Sequence, residues 1–208
     1  MKSTWNLVGM ALWAIVLIYG IWMVHDMRVR RIKLIVTEKR NFSWRNLGKS
    51  TLELVVFLVA FIAMAKVTFF QDVNQLSKSA VNTSYQFEPL VIDSDGDHSY
   101  YVQVKNAGNK RPIQQYTYLV NGEKYHVDSL NATIVMGKHN TNVQSSAYDW
   151  DQKQLDHLDT RYQKAWVGTV TTTYKKTFLN GIGLHAGRQA NRFSLIRIPD
   201  KSFMNTEN

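Results

Sequence analysis

Residues 51–70 form a run of twenty mostly apolar amino acids, and this run restricts the fold more than any other stretch. About twenty apolar residues, at a rise of 1.5 Å each, span the roughly 30 Å hydrocarbon core of a bilayer. Its charged residues, Glu53 and Lys66, lie near the ends of the run, where a charge in a membrane costs least. Ser50 and Glu53 also fit the capping-box pattern of a helix start. The run therefore predicts a transmembrane helix.

A second apolar run covers residues 5–24 and contains no charged residue. A signal peptide would be shorter and would end at a small-residue cleavage site, whereas a basic cluster follows here. Trp5 and Trp22 lie near the ends of the run, as aromatic residues at a membrane interface do. Residues 1–24 are therefore predicted as an uncleaved first span with a short outer tail. Four small residues would let it approach the second span closely: Gly9, Ala11, Ala14 and Gly20.

The segment between the two runs, residues 25–50, is predicted as a basic cytoplasmic loop. Only Asp26 and Glu38 oppose its eight basic residues, which are Arg28, Arg30, Arg31, Lys33, Lys39, Arg40, Arg45 and Lys49. Short loops rich in Lys and Arg stay in the cytosol, so the amino terminus and the C-terminal domain are predicted outside. The same residues would contact anionic lipid headgroups. We favour a topology signal alone over a dedicated lipid-binding patch.

The remaining chain is predicted as a stalk or linker over residues 71–84, a domain over 85–199 and a polar tail over 200–208. The part after residue 70 carries 15 basic and 13 acidic residues, so the surplus that gives the chain its net charge of +9 lies mostly in the loop. This balance argues against nucleic-acid binding. The chain has no cysteine, which excludes disulfides, thiolate metal sites and a cysteine nucleophile.

Strand signals dominate the first half of this domain. Short runs rich in Tyr, Val and Ile are separated by turn residues, and Asn121-Gly122 is a strong hairpin signal because a type I′ turn needs positive φ at both positions. Further strands are expected near residues 131–136 and 192–198. The pattern predicts an antiparallel sheet.

Residues 150–179 allow two interpretations. Apolar residues recur at spacings of three and four, which places them on one helical face: Leu155, Leu158, Tyr162, Trp166, Val170, Tyr174 and Phe178. Residues 166–174 are rich in Thr and Val, which favours a strand instead. We prefer the helix, with a C-cap at Asn180-Gly181. The predicted fold class is a membrane-anchored α+β protein with two N-terminal transmembrane helices, followed by an extracytoplasmic domain that has an antiparallel sheet and a long amphipathic helix.

No motif predicts a catalytic, cofactor-binding or metal-binding residue. The acidic run beginning at Asp93 lacks the glycine and glutamate positions of a calcium loop and is predicted as a turn. The glycine-rich residues 181–190 do not match a nucleotide-binding pattern. A weak ligand surface is predicted from five strand tyrosines and from one histidine and one arginine of the glycine-rich segment, although such tyrosines more often form half-buried sheet faces. These residues are Tyr100, Tyr101, Tyr116, Tyr118, Tyr125, His185 and Arg188.

Several stretches, WNLVGMALW, RRIKLIVTEKRNFSWRNL, YYVQVKN, YKKTFLNGIGLHAGR and SLIRIP, are similar to a family of small, uncharacterised two-span membrane proteins from lactic-acid bacteria. The resemblance implies a Gram-positive cell membrane with the domain facing the wall. It carries no assigned activity and no site residues.

Three functions follow as hypotheses. The first is a non-catalytic cell-envelope protein that binds a partner protein or a wall component through its outer domain. The second is an accessory subunit of a membrane transporter or envelope machine, with the spans as the contact surface. The third is an extracytoplasmic hydrolase, which would need catalytic residues gathered from distant parts of the chain. The first is preferred, with no cofactor and no nucleic-acid partner.

Overall fold

The computed structural model describes residues 3–39, 42–70, 79–96, 98–106 and 113–207. The chain forms two compact units. The helical unit contains Met1–Asn82 and Thr173–Ala190, and the sheet unit contains Thr83–Thr172 and Asn191–Asn208. Two long apolar helices precede sheets and short helices, which confirms the predicted α+β layout. The predicted domain 85–199 is interrupted, because residues 173–190 belong to the helical unit.

The helical unit is built on an antiparallel pair, α1 (Asn6–Glu38) and α2 (Trp44–Phe69). Both helices are long and apolar enough to cross a membrane, and only 17% and 6% of their most apolar stretches are buried. A core helix of a soluble protein would be mostly buried, so this exposure favours membrane spans. At 33 and 26 residues, they measure about 50 and 39 Å, more than a bilayer core requires.

The predicted loop 25–50 is mostly helical, which corrects the sequence analysis. Helix α1 continues through the basic residues to Glu38 and ends where Lys39 adopts a left-handed conformation, with φ of 50°. Helix α2 begins at Trp44 after Ser43, so Ser50 lies inside the helix and the predicted capping box is wrong. Lys and Arg are good helix formers, and a run of them does not end a helix.

Polar and aromatic contacts join the two helices. The Trp13 indole nitrogen donates to the Thr68 hydroxyl at 3.1 Å near one end of the pair. Near the other end Arg30 forms ion pairs with Asp26, at 2.8 Å, and with Glu53 on the opposite helix. Gly20 lies against the Phe57 ring. These contacts fix the register of the pair, and Glu53 is used as an interhelical partner of Arg30.

Residues 173–190 contain α4 (Phe178–Ile182), which packs on α1. Asn180 is buried, and its side-chain amide donates to the carbonyls of Ala80 and Lys175 at 2.8 and 2.9 Å. Asn180 and Gly181 therefore lie within this short helix, which corrects the predicted C-cap.

The sheet unit contains two four-stranded sheets. Sheet I has the order β1-β8-β9-β7 and sheet II has the order β10-β4-β5-β6. Most of the predicted antiparallel pairing is present in sheet II, while β7–β9 and β10–β4 are parallel. The ten strands among the described residues are β1 (Val81–Pro89), β2 (Asp93–Asp95), β3 (His98–Tyr100), β4 (Val102–Asn106), β5 (Gln114–Val120), β6 (Glu123–Asp128), β7 (Ala132–Val135), β8 (Trp166–Tyr174), β9 (Gln189–Arg197) and β10 (Met204–Glu207).

The predicted Asn121-Gly122 hairpin is confirmed. Both residues have positive φ, 50° and 84°, and they connect β5 to β6. Tyr118 and Tyr125 are direct partners in this register. Strands β7 and β9 also lie where the sequence predicts strands.

The preferred long helix over residues 150–179 is wrong. Helix α3 covers only Gln152–Arg161, and positive φ at Gln163 and Lys164 turns the chain into β8. Strand β8 lies between β1 and β9, with buried residues on both faces. A strand buried on both faces has no alternation of apolar and polar residues, so its apolar positions also matched a helical spacing.

Both ends of the predicted outer region also differ from the prediction. Residues 81–84, predicted as linker, belong to β1, and residues 71–78 lie outside the described residues. The predicted polar tail forms a 3₁₀ turn (Lys201–Phe203) and then β10, which pairs with β4. Main-chain pairing orders this segment despite its polar sequence.

The sheet unit has three layers. Sheets I and II pack face to face through one apolar cluster, which includes Val104, Tyr116, Val167 and Ile196. The other face of sheet I is covered by α3 and Trp150, through a second cluster that contains Leu155, Trp166, Val170 and Leu195. Sheet I is therefore the centre of the unit.

Candidate functional site

The five predicted tyrosines have different environments. Tyr100, Tyr116 and Tyr118 are buried, whereas Tyr101 and Tyr125 are half-buried. Tyr101 contacts the Phe203 ring at a centroid distance of 5.3 Å. The rings of Tyr118 and Tyr125 stack at 5.8 Å and 15°. The structure therefore brings this last pair together at a cleft.

That cleft opens between the two sheets and has a volume of about 90 Å³. Strands β1, β8 and β9 supply one wall, and β5 and β6 supply the other. Alternate residues of each strand point into it, because successive side chains of a strand face opposite sides of the sheet. The lining residues are Gln86, Glu88, Tyr118, Val120, Tyr125, Val167, Thr169 and Arg192.

Charge and hydrogen bonding define the chemistry of this cleft. Burial raises the pKa of the Tyr118 hydroxyl, while the Ser194 hydroxyl and the positive charge of Arg192 partly oppose that rise. The Tyr125 hydroxyl donates to a Glu123 carboxylate oxygen at 3.1 Å, which raises the pKa of Tyr125. Both phenols are therefore neutral at physiological pH. Glu88 and the exposed Arg192 add one charge of each sign.

Such a lining can bind a small polar group but does not form an acid–base pair. Glu88 is the carboxylate among the lining residues, and histidine does not occur among them. Across the described residues, no group of three or more His, Asp and Glu is placed to hold a metal ion. Asp93, from the acidic run, instead pairs with Lys124 at 2.7 Å, and this contact lowers the pKa of Asp93. The cleft thus offers hydrogen-bond donors and acceptors and one charge of each sign.

His185 and Arg188 are not part of this cleft, because both belong to the helical unit. The His185 ring stacks on Tyr174 at 4.9 Å, and its buried Nε2 makes no hydrogen bond of normal geometry. Burial lowers the pKa of His185, and the positive charge of Arg188 acts in the same direction. The carbonyls of Val67 and Thr68 oppose this shift. His185 is therefore a packed, neutral residue at physiological pH.

Seven of the eight basic residues predicted for the loop lie on the two helices or at the C-cap of α1. Arg28, Arg31 and Lys33 are on α1 with Arg30, Lys39 is its C-cap, and Arg45 and Lys49 are on α2. Arg40 lies outside the described residues. Arg30 is held in ion pairs with Asp26 and Glu53.

Among the lining residues that sequence reasoning missed are the three long polar side chains of the cleft: Gln86, Glu88 and Arg192. A local signal for them exists. Phe87 packs in the second apolar cluster, so its polar neighbours must face the other side of β1. In β9, Phe193 and Leu195 likewise face that cluster, which directs Arg192 and Ser194 toward the space between the sheets. No signal in the sequence shows that these two strands face Tyr118 and Tyr125.

Comparison with known proteins identifies the family to which the chain belongs. A protein-family model matches residues 4–205, which include both long helices and nearly all of the remaining chain. The chain belongs to this family. The family is uncharacterised, and its description names no activity, substrate or partner. No significant match was found among curated proteins or among solved structures.

Proposed function

We propose that the chain is a non-catalytic, two-span protein of a Gram-positive cell envelope. Its amino terminus and its sheet unit lie outside the cell, and the sheet unit binds a wall component through the cleft between its sheets. The observation that carries this proposal is the cleft itself, which pairs stacked tyrosines with Glu88 and Arg192. No enzyme activity, cofactor or nucleic-acid partner is proposed.

The orientation is supported by where the basic residues lie on the helices. They occupy the end of α1, the short connection and the start of α2, which together form one end of the pair. Lys and Arg near the ends of spans stay on the cytoplasmic side. Anionic lipid headgroups of the inner leaflet are therefore the proposed partners of this end. The sheet unit follows α2 and would emerge on the opposite side.

Protease added to intact protoplasts should therefore remove the sheet unit of the full chain. The measurement is loss of an epitope placed after residue 208, while a cytoplasmic marker protein in the same protoplasts survives. Lysed protoplasts give the complete digestion for comparison. Survival of the epitope in intact protoplasts would reverse the proposed orientation and exclude a wall ligand.

The size of the cleft restricts what it can bind. Sites for drug-sized ligands have volumes of about 300–1,000 Å³, so a space of about 90 Å³ holds one end group. Glu88 suits an ammonium group, Arg192 suits a carboxylate, and the phenols suit hydroxyl and amide groups. Wall peptides carry free ammonium and carboxylate groups on a short chain. We therefore propose the end of a wall peptide as the ligand, with the rest of the wall fragment outside the cleft.

Arg192→Gln and Glu88→Gln should each weaken binding of soluble wall fragments about tenfold, because each removes a charge-assisted hydrogen bond. Binding is measured calorimetrically on the full chain in lipid nanodiscs. Arg188→Gln is the matched control, since it makes the same change in the helical unit and should leave binding unchanged. Equal affinity of all four proteins would rule out the cleft as the binding site. Capture of an envelope protein that both cleft variants lose would instead favour the partner-protein form of the hypothesis.

A further inference from the structure

The segment formed by residues 173–190 is held tightly against the first turns of α1. The Asn6 side chain donates to the carbonyl of Ala186 at 3.1 Å and accepts from the amide of Ala186 at 3.0 Å. Gly9 and Gly181 pack so closely that a Cβ on Gly9 would lie 2.4 Å from the carbonyl oxygen of Gly181. The position of this segment along the span is therefore fixed.

A cavity of about 400 Å³ lies between this segment and α1. Ser3, Asn6, Leu7 and Met10 form one wall, and Leu184, Ala186, Gly187 and Arg188 form the other. Leu7 and Met10 are 59% and 58% exposed and belong to the apolar run of the first span. Ser3 and Arg188 give the other end polar character. The cavity is thus apolar along the span and polar beyond its end.

Positive charge dominates around the polar end. Arg188 is exposed, and the aliphatic part of Lys176 lies beside Gly187, where a Cβ would be 3.4 Å from Lys176 Cε. The walls of the cavity and their surroundings are formed by two stretches of the chain. Neither stretch contains Asp or Glu, and the two stretches are residues 3–25 and 173–190. A ligand at this end would therefore be anionic, because no acidic side chain of either stretch balances the two cations.

Exposed apolar side chains also lie on α4 and at the start of α1. Phe178 and Leu179 of α4 are 51% and 75% exposed, and Trp5 meets the Phe178 ring edge to face at 6.1 Å. Aromatic and apolar residues next to basic ones are typical of segments that lie in the membrane interface. With α1 inserted as proposed above, the cavity would open where headgroups and the upper parts of acyl chains meet.

We propose that this cavity binds a phospholipid with an anionic headgroup, taken from the leaflet that faces residues 173–190. The phosphate lies at Arg188 and Lys176, and an acyl chain lies along Leu7 and Met10. The inference rests on the two-span insertion of the proposed function but not on the wall ligand. A volume of about 400 Å³ fits the headgroup and the first part of one chain rather than a free phosphate ion.

The test uses the full chain in nanodiscs of phosphatidylcholine with phosphatidylglycerol, and native mass spectrometry counts the lipids that remain bound after detergent release. The wild-type protein should retain phosphatidylglycerol over phosphatidylcholine. The double variant Lys176→Gln/Arg188→Gln should lower that preference about tenfold, the scale of losing charge-assisted bonds to a phosphate. Met10→Ala should reduce retention without changing the headgroup preference.

Arg192→Gln is the matched control for charge and should retain lipid like the wild type. An unchanged preference in the double variant, with an unchanged melting temperature, overturns the proposal. Displacement of the lipid by excess inorganic phosphate overturns it too, since the ligand would then be a free anion. Failure of the protein to enter nanodiscs would refute membrane insertion, and loss of wall-fragment binding alone would refute only the cleft ligand.

Discussion

Replacement of Asp159 by alanine should lower the free energy of unfolding by about 3–5 kcal/mol, because it leaves a buried cation without its counter-ion. Arg197 is fully buried, and two of its nitrogens contact the Asp159 carboxylate at 2.9–3.2 Å. The Trp166 indole nitrogen also donates to this carboxylate, at 2.8 Å. One side chain of α3 thus holds two buried groups of sheet I. The effect is measured as a loss of thermal and chaotrope stability in detergent.

Asp156→Ala provides the matched control on the same helix. Asp156 accepts one side-chain hydrogen bond, from Asn140 at 2.8 Å, so its loss should cost about 1 kcal/mol. Replacing both partners, Asp159→Leu with Arg197→Met, should recover much of the stability, since no uncompensated charge is then buried. Similar losses for Asp159→Ala and Asp156→Ala would contradict a dominant role for the ion pair.

Replacement of Gly181 by valine should separate residues 173–190 from α1. A Cβ on Gly181 would lie 2.3 Å from the carbonyl oxygen of Trp5, and this oxygen cannot move without moving the first turn of the helix. Overpacking typically lowers the free energy of unfolding by about 1–3 kcal/mol. We expect a loss at or above the upper end of this range, because the clash is with backbone rather than with a side chain. The same variant should also reduce lipid retention, because the cavity loses one wall.

The distance between residues 173–190 and α1 is tested by disulfide crosslinking. The chain has no native cysteine, so the introduced pair is the only one that can react. Cβ atoms at Ser3 and Gly187 would lie 3.6 Å apart, within the range of about 3.5–4.5 Å for a disulfide. Ser3→Cys/Gly187→Cys should therefore crosslink, and adding Gly181→Val should abolish the crosslink. Gly48→Val is the control, because a Cβ there meets no described atom within 4 Å beyond its own stretch of helix. If crosslinking persisted in the Gly181→Val variant, residues 173–190 would still lie against α1, and the predicted separation would be wrong.

The elements that sequence predicted correctly are those with a local cause. Two long apolar runs became long helices, and Asn121-Gly122 became a hairpin turn because the conformations it needs suit those two residues. The helix preferred over β8 failed because a central strand and a buried helix face have the same apolar positions. Only the neighbours of the strand, β1 and β9, distinguish the two, and local spacing does not contain them.

The candidate site was predictable only in part. Tyr118 and Tyr125 come from one hairpin, so their pairing follows from the turn. Glu88 and Arg192 reach the same cleft from strands that are distant in sequence, through pairing and sheet packing that no local pattern specifies. The same reason hides the contact between Asn6 and Ala186, which are 180 positions apart in the chain.

The helical unit is completed by residues 173–190, which leave the ribosome long after both helices. In the proposed topology, the helix pair would therefore lie in the bilayer with Gly9 and Asn6 uncovered until residues 173–190 had also been exported. A shortened chain that starts at residue 83 would contain residues 173–190 but would lack α1, the helix against which they pack. Gly181 would then be uncovered next to the exposed Phe178, and this apolar surface would promote self-association.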